Sequence, residues 1–485
     1  VTLATNYRIR SAQEYEESLR DGRSVFYRGE AVEDVTRHPV FANAVKHASL
    51  DYQLMAEDSP HRDLAVGPDG ASRFFQLPRS SEDLLTRSKL IEAGTRVGKT
   101  LVVLIREIGT DALFALTAAS GALGEPYASR IADFYEHCRE KDLGIAVAQT
   151  DPKGDRLLRP SEQPDPESYL RIVERRPDGI VVRGAKLHTS LTVNANELIV
   201  LPTRAMTEAD ADYAVSFAIP LNTPGLRLVA SPFLPTSDLR TEEHPLAADR
   251  KLVETMTVFE DVFVPDERVF MAGEWQHTGD LVHKFVDFHR FTAISYKLPL
   301  VDALVGAALL AAEANGVQNA PQVRDKLSWL ISYAETLRAL THYSAHKVRR
   351  VSGLAVPDTQ LVNIAKLWFA NNLHTAFQYV QDIAGGLSVT YPAVEDLSHP
   401  EYGEALKRYL AGADGWSGED RFKVMTLVGD LTSGEYAGYQ IVLAIHAEGT
   451  LEHEKLTILQ QHDKDASKSY ARWLAGLEGG QYPPS

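Results

Sequence analysis

The 485-residue chain has a single cysteine, Cys138, so it has no internal disulfide and cannot assemble a multi-thiolate metal centre. A lone thiol fits a reducing compartment, and a cytoplasmic protein is expected. Positive charge is also scarce. Fifty Lys and Arg face 66 Asp and Glu, giving a formal charge of -16 and a pI near 5.5. That field disfavours nucleic acids and anionic membranes, which need clustered cations to displace counterions. No stretch approaches the ~20 apolar residues of a bilayer span. The first residues, Val1 to Arg8, lack the basic-then-apolar pattern of a secretion signal. There is no internal repeat and no low-complexity tract. No Gly-x-Gly-x-x-Gly follows a strand pattern, so a Rossmann nicotinamide fold is not supported.

What is present reads as an ordinary globular protein: 44% apolar, 24% charged, with a mean hydropathy of -0.20. The length allows two to three domains of ~150 residues, and the texture changes twice. Residues 1–145 read as helical. Ser11 with Glu14 has the form of a capping box, and the runs from Ser81 and from Arg130 place apolar residues at helical intervals. Residues 146–275 read as a compact β domain. The runs 169–176 and 180–186 flank Pro177-Asp178-Gly179, a hairpin signal, and 197–202, 213–220 and 256–265 are rich in β-branched and aromatic residues. Residues 276–485 return to helices. The Ala- and Leu-rich run from Leu300 is apolar nearly all round and is expected to be buried in a bundle or subunit contact.

Four segments can carry chemistry. Gln149 to Arg156 combines Gly and Pro with Thr, Lys and Arg. It reads either as a polar turn or as a loop donating to an oxyanion. Lys186, His188, Thr189 and Ser190 sit at a strand end, where they either cap the strand or offer hydrogen bonds to a ligand. His289 and Tyr296 lie seven apart, two helical turns, so both share a face, with Lys297 adjacent. His, Tyr and Lys are proton-transfer groups, although a lone His is more often structural. Gly385-Gly386, with Thr390 to Glu395 behind it, marks either a close backbone approach or a helix end.

The stretches from Thr150 to Arg156, Leu170 to His188, Ala205 to Ala218, Phe259 to Pro265 and Gln381 to Leu387 resemble the family of 4-hydroxybutyryl-CoA dehydratase and 4-hydroxyphenylacetate 3-monooxygenases. Ser18 to Arg23 and Val35 to Pro39 extend the likeness over nearly the whole chain. The resemblance implies an α+β, acyl-CoA-dehydrogenase-like fold: a helical N-terminal domain, a central β-barrel and a C-terminal four-helix bundle with a tail. It implies a homo-oligomer, a tetramer or dimer, with FAD between barrel and bundle. The flavin contacts implied are Val147, Ala148, Gln149, Lys153, Gly154, Asp155, Arg156, His188, Thr189 and Ser190. Pro392, Ala393, Val394 and Glu395 would come from a neighbouring subunit.

The chain also departs from both branches of that family. The dehydratase holds a 4Fe-4S cluster on three cysteines and a histidine, and the matching positions here are Val103, Glu107, His289 and Tyr296. Thiolates are what such a cluster needs, so no cluster and no other metal is expected. Carboxylates near the dehydratase flavin fall on Val394, next to Glu395, and on Glu254. The phenol-binding Arg of the monooxygenases falls on Arg106, but the Tyr after it is Thr110 and their active-site His is Val147.

Two functions follow from the resemblance. The first is a two-component monooxygenase, in which reduced FAD from a transient partner reductase and O2 hydroxylate a small aromatic or phenolic substrate, with Arg106 holding its oxygen and His289 moving a proton. The alternative is a cluster-free flavoprotein lyase or isomerase on a CoA thioester, with His289, Tyr296, Lys297 and Glu254 handling the proton. A flavin-binding protein with altered catalysis is a third outcome. The sequence places hydroxylation ahead of the alternative.

Overall fold

Thr278–Ala314 is one helix of 37 residues in the computed structural model, and the other elements are arranged by what it buries. The structure describes residues 7–99, 105–233, 239–249 and 252–481. Phe291, Ile294, Leu298, Leu300, Leu304, Ala308 and Ala312 of this central helix are buried, while Leu309 and Leu310 stay exposed. A helix this apolar must be covered over most of its surface. Ser81–Val97 and Glu107–Leu123 cover it from the N-terminal part, and Pro321–His346, Thr359–Ala384 and Gly418–Thr432 cover it from the C-terminal part. Each fully buried Leu, Ile or Phe contributes about 1.5–3 kcal/mol. The central helix thus shares one core with C-terminal and N-terminal helices alike, rather than closing a separate bundle of the C-terminal part. By length and composition the segment Trp275–Ala314 is able to cross a bilayer, which the sequence reading did not anticipate. In the fold, 67% of its most apolar window is covered by protein.

Among the described residues ten strands make two sheets. They are β1 (Val25–Tyr27), β2 (Glu30–Val32), β3 (Ile145–Ala148), β4 (Arg171–Arg176), β5 (Gly179–Ser190), β6 (Glu197–Val200), β7 (Val215–Pro220), β8 (Leu226–Ala230), β9 (Glu254–Pro265) and β10 (Val269–Ala272). The six-stranded sheet runs β2-β1-β8-β9-β5-β4 and the four-stranded sheet β10-β7-β6-β3. Among the described residues no ladder joins the two, so the expected barrel is a pair of open sheets. The reason is visible in β6. Leu198 and Val200 pack with the core that includes Leu228, Phe259 and Val262. The alternate residue Ile199 packs with Leu113, Leu116 and Phe134 of the N-terminal helices. The smaller sheet is thus sandwiched, apolar on both faces, rather than curled onto its neighbour.

The hairpin signalled by Pro177-Asp178-Gly179 is β4–β5. The first hairpin, β1–β2, lies within the stretch expected to be helical and adds to the larger sheet through β8. A further hairpin, Arg349–Val351 with Leu354–Val356, interrupts the helical C-terminal part.

Candidate functional site

The register of β5 against β9 breaks between Lys186 and Thr189. There His188 turns to a left-handed φ of 55°. The Leu187 N–H leaves the ladder and donates to the Thr150 carbonyl at 2.8 Å. The strand end is thereby tied to the 149–156 loop, and the two segments singled out in the sequence meet.

Beneath them, buried Lys186 donates to Asp151 Oδ2 at 2.9 Å and to the carbonyls of Gln149 (2.9 Å) and Leu201 (3.1 Å). Asp151 Oδ1 accepts the Leu170 N–H. This pair is an internal brace with no charge to spare. Above it the loop is more exposed. Gly154, at φ 49°, sits where a Cβ would meet Gln163 Oε1 at 2.4 Å, so glycine is required there. Burial, Arg156, Lys186 and Arg204 hold the Lys153 ammonium below its ordinary range against the pull of Asp151. Burial, Lys153 and Arg156 likewise lower His188. Lys153 thus lies in the field of Arg156 and Arg204, and His188 in that of Lys153 and Arg156, so cationic groups gather over a braced loop. A flavin dinucleotide brings a diphosphate and polar ring edges, which clustered donors suit. These residues fit FAD.

Other expected flavin residues are placed differently. Val147 and Ala148 lie in β3, and Ala148 is buried. The Thr189 hydroxyl is used inside the sheet, against Thr255 and Thr257 at 2.8 and 2.6 Å. Ser190 donates to Glu254 Oε1 at 2.7 Å, and Tyr439, from helix Glu435–His446, donates to the same oxygen at 3.1 Å. Burial raises the Glu254 carboxyl, with Ser190 and Tyr439 opposing. Gly385, at φ 74°, ends helix Thr359–Ala384. Beyond it the Val394 N–H donates to Glu243, and Glu395 pairs with Arg240. Among the described residues no hydrogen bond or ion pair joins 392–395 to the 147–156 loop.

Arg106 was expected to hold a substrate oxygen. Its guanidinium is fully buried, 3.2 Å from Asp51 and 2.7 Å from Asp142, and lies 3.9 Å from the centre of the Tyr52 ring. Two carboxylates already neutralise it, so the structure gives it a bracing role. Thr110, at the neighbouring phenol-binding position, turns its hydroxyl back onto the Arg106 carbonyl at 2.7 Å.

The second centre lies among the helices. His289 Nδ1 is 3.4 Å from Asp111 Oδ2, and its ring stacks on Phe285. Buried Tyr296 donates to Glu448 Oε1, and buried Lys297 donates to Glu448 Oε2 at 3.0 Å. Lys366 lies 4.0 Å from Glu448 and pairs with Glu454. Burial alone would raise the Glu448 carboxyl, but Lys297, Lys366 and His289 outweigh it and hold Glu448 below its ordinary value. Burial and Glu448 push the Tyr296 phenol well up, and burial lowers the Lys297 ammonium. Buried Glu107 acts on Tyr296 through its charge. This is the region where the resemblance would put the ligands of a cluster. Val103 lies outside the described residues. The others are a carboxylate, an imidazole and a phenol, and Cys138 is buried in helix Tyr127–Glu140. That donor set does not fit an iron–sulfur cluster.

Glu448, Lys366, Asp111 and Tyr439 were not singled out in the sequence. Two of them carry a signal: Lys366 lies on the apolar stripe of Val362, Phe369 and Leu373, and Asp111 interrupts the run from Ile108 to Leu116.

A braced cationic loop and a buried acid–base cluster, on two sheets and a helical body, are the parts of a flavin-using enzyme with an acyl-CoA-dehydrogenase-like fold. Glutaryl-CoA dehydrogenase shares that fold at a TM-score of 0.53. The chain belongs to the 4-hydroxyphenylacetate 3-hydroxylase family. Residues 11–271 match its N-terminal region and residues 278–476 its C-terminal region. It is 33% identical to 4-hydroxybutyryl-CoA dehydratase/vinylacetyl-CoA-Delta-isomerase of Clostridium aminobutyricum, over 97% of this chain and 100% of that one. The oxygen-tolerant 4-hydroxybutyryl-CoA dehydratase of N. maritimus matches with a TM-score of 0.90 and 30% identity, covering 99% of this chain and 97% of that one. The oxygenase component of 4-hydroxyphenylacetate 3-monooxygenase, complexed with FAD and 4-hydroxyphenylacetate, matches with a TM-score of 0.87 and 25% identity over 96% of this chain and 98% of that one.

Proposed function

We propose that the protein holds FAD against the 149–156 loop and the β5 end, and moves a proton on an acyl-CoA thioester as a lyase or isomerase without net oxidation. The carrying observation is the pre-assembled cluster in which His289 faces Asp111 at 3.4 Å and shares its electrostatic field with the ionised Glu448. A base able to take a proton from the carbon beside a thioester carbonyl needs this setting, because carboxylates stabilise the imidazolium formed. Tyr296 and Lys297 hold Glu448 ionised, so that its charge favours the imidazolium. Bound FAD supplies an electron-accepting ring. The likeness to the Clostridium dehydratase and isomerase supports this reading, and the neutralised Arg106 removes the main support for phenol recognition.

Hydroxylation of an aromatic substrate is the second reading, with FAD reduced by a partner reductase. It is favoured by the family's description and by the FAD and 4-hydroxyphenylacetate complex of the similar oxygenase. We also propose a homo-oligomer. Helix Lys464–Leu474 buries none of its residues and exposes Tyr470, Trp473 and Leu474, a face that a second copy would cover.

Incubating the FAD-loaded protein with vinylacetyl-CoA in D2O tests the first reading. Deuterium incorporation with a migrated double bond is expected, and its loss in His289→Gln. An unchanged ester, with hydroxylation of 4-hydroxyphenylacetate when reduced FAD and O2 are added, would overturn it.

A further inference from the structure

The reaction proposed above asks His289 to accept a proton, and an imidazole does so only at a nitrogen whose lone pair is free. Which nitrogen that is depends on the partner of the other. Nδ1 faces Asp111 Oδ2 at 3.4 Å. Asp111 is completely buried, and its Oδ1 is occupied twice, by Arg87 Nη2 at 2.8 Å and by the Thr292 hydroxyl at 2.8 Å.

Arg87 is itself fixed. It donates to the Glu107 carbonyl at 3.0 Å and to Thr110 at 2.9 Å, and its guanidinium lies 5.0 Å from the Phe114 ring centre. Thr292 is three residues after His289 and so shares its side of the central helix. The Phe285 ring lies nearly parallel to the imidazole, 5.0 Å between centres and 16° between planes. The ring is thus held on one face and along one edge. An ionised carboxylate offers only acceptors, so the edge facing Asp111 must carry the hydrogen.

We infer that Asp111, anchored by Arg87 and Thr292, is a positioning residue that fixes His289 as the Nδ1–H tautomer and leaves Nε2 as the proton acceptor. The catalytic consequence rests on the proposed proton transfer, but the tautomer does not. In the reaction the C–H bond beside the thioester carbonyl breaks and a bond from Nε2 to that hydrogen forms. The electron pair stays on the substrate as an enolate. The cation that results faces Asp111 and lies in the field of Glu448, with Glu107, Tyr296, Lys297 and Lys366 the other titratable groups of this cluster and Arg290 the next residue of the helix. Return of the proton to a different carbon completes an isomerisation, with no electron gained or lost.

The test is 15N NMR of protein labelled at histidine, recorded at pH 8. The His289 signals are assigned by their loss in His289→Gln. Free imidazole side chains in water favour Nε2–H, so an Nδ1–H signature at His289 is the expected and diagnostic result. An Nε2–H signature would overturn the inference whatever the enzyme's activity. In Asp111→Asn the tautomer is expected to shift toward Nε2–H, with deuterium exchange slowed on the order of 10²-fold or more. Should that variant fail to fold, Thr292→Val keeps the Arg87–Asp111 pair and shifts the signals the same way by less. If the Nδ1–H tautomer is found and no thioester exchanges, the positioning stands and the proposed reaction falls.

Discussion

Replacing Glu448 by Gln keeps the side chain's shape but strands the buried Lys297, whose ammonium donates to it at 3.0 Å. Breaking a buried pair by removing one partner costs about 3–5 kcal/mol, mostly because the remaining charge is left uncompensated. The converse change, Lys297→Met, should cost less. Glu448 would still have Lys366 at 4.0 Å and the Tyr296 hydroxyl, and Lys366 is already paired with Glu454. An unfolding entropy of about 2.1 cal/mol/K per residue gives about 1 kcal/mol/K for a chain of this size, so the melting temperature should fall by about 3–5 °C in Glu448→Gln. The double variant should be more stable than Glu448→Gln alone, with a coupling of about 0.5–3 kcal/mol. Glu448 is held below its ordinary value, so its contribution is present above the unfolded carboxyl range and is lost as pH falls through the lower folded value. The gap between wild type and variant should therefore close only in acid. Melting curves of the four proteins, at neutral pH and in acid, decide it. Equal costs for the two single changes, simply adding in the double, would refute the asymmetry on which the reasoning stands.

Arg106→Met should destabilise by about 3–5 kcal/mol, since it strands Asp51 and Asp142, while leaving flavin affinity unchanged. A selective loss of ligand binding in a well-folded variant would restore the substrate role. Arg156→Ala should weaken FAD binding about 10- to 100-fold, as loss of a charge-assisted bond does, and flatten its salt dependence in fluorescence titrations. Asp287, bonded to Arg349 and Thr359, is raised to about 6, by burial above all. Its folded form holds the proton more tightly than the unfolded chain, so stability relative to Asp287→Asn should decline as pH rises from about 4 to 6. A constant difference across that range in denaturation curves would refute the assignment.

Local elements were legible because local forces make them. The turn at 177–179 between two β-branched runs could only become a hairpin, and it did. The apolar run at 300–314 is enclosed in large part, with Leu309 and Leu310 left at the surface. The 149–156 and 186–190 segments announced themselves by composition, but only the break in the β5 ladder tied them together. Tyr296 and Glu448 are 152 residues apart, and nothing near either names the other. Asp51 and Asp142 gave no sign that they would claim Arg106.

The sequence by itself determined most of the helix and strand types, though not the hairpins at 25–32 and 349–356, and with them the family and the shortage of thiolates for a cluster, because periodicity and residue chemistry are local or additive. The tertiary structure alone decided which charges are spent on one another. Pairing between buried ions depends on distances of a few ångströms between distant segments, and those distances set Arg106 between Asp51 and Asp142 and His289 beside Asp111.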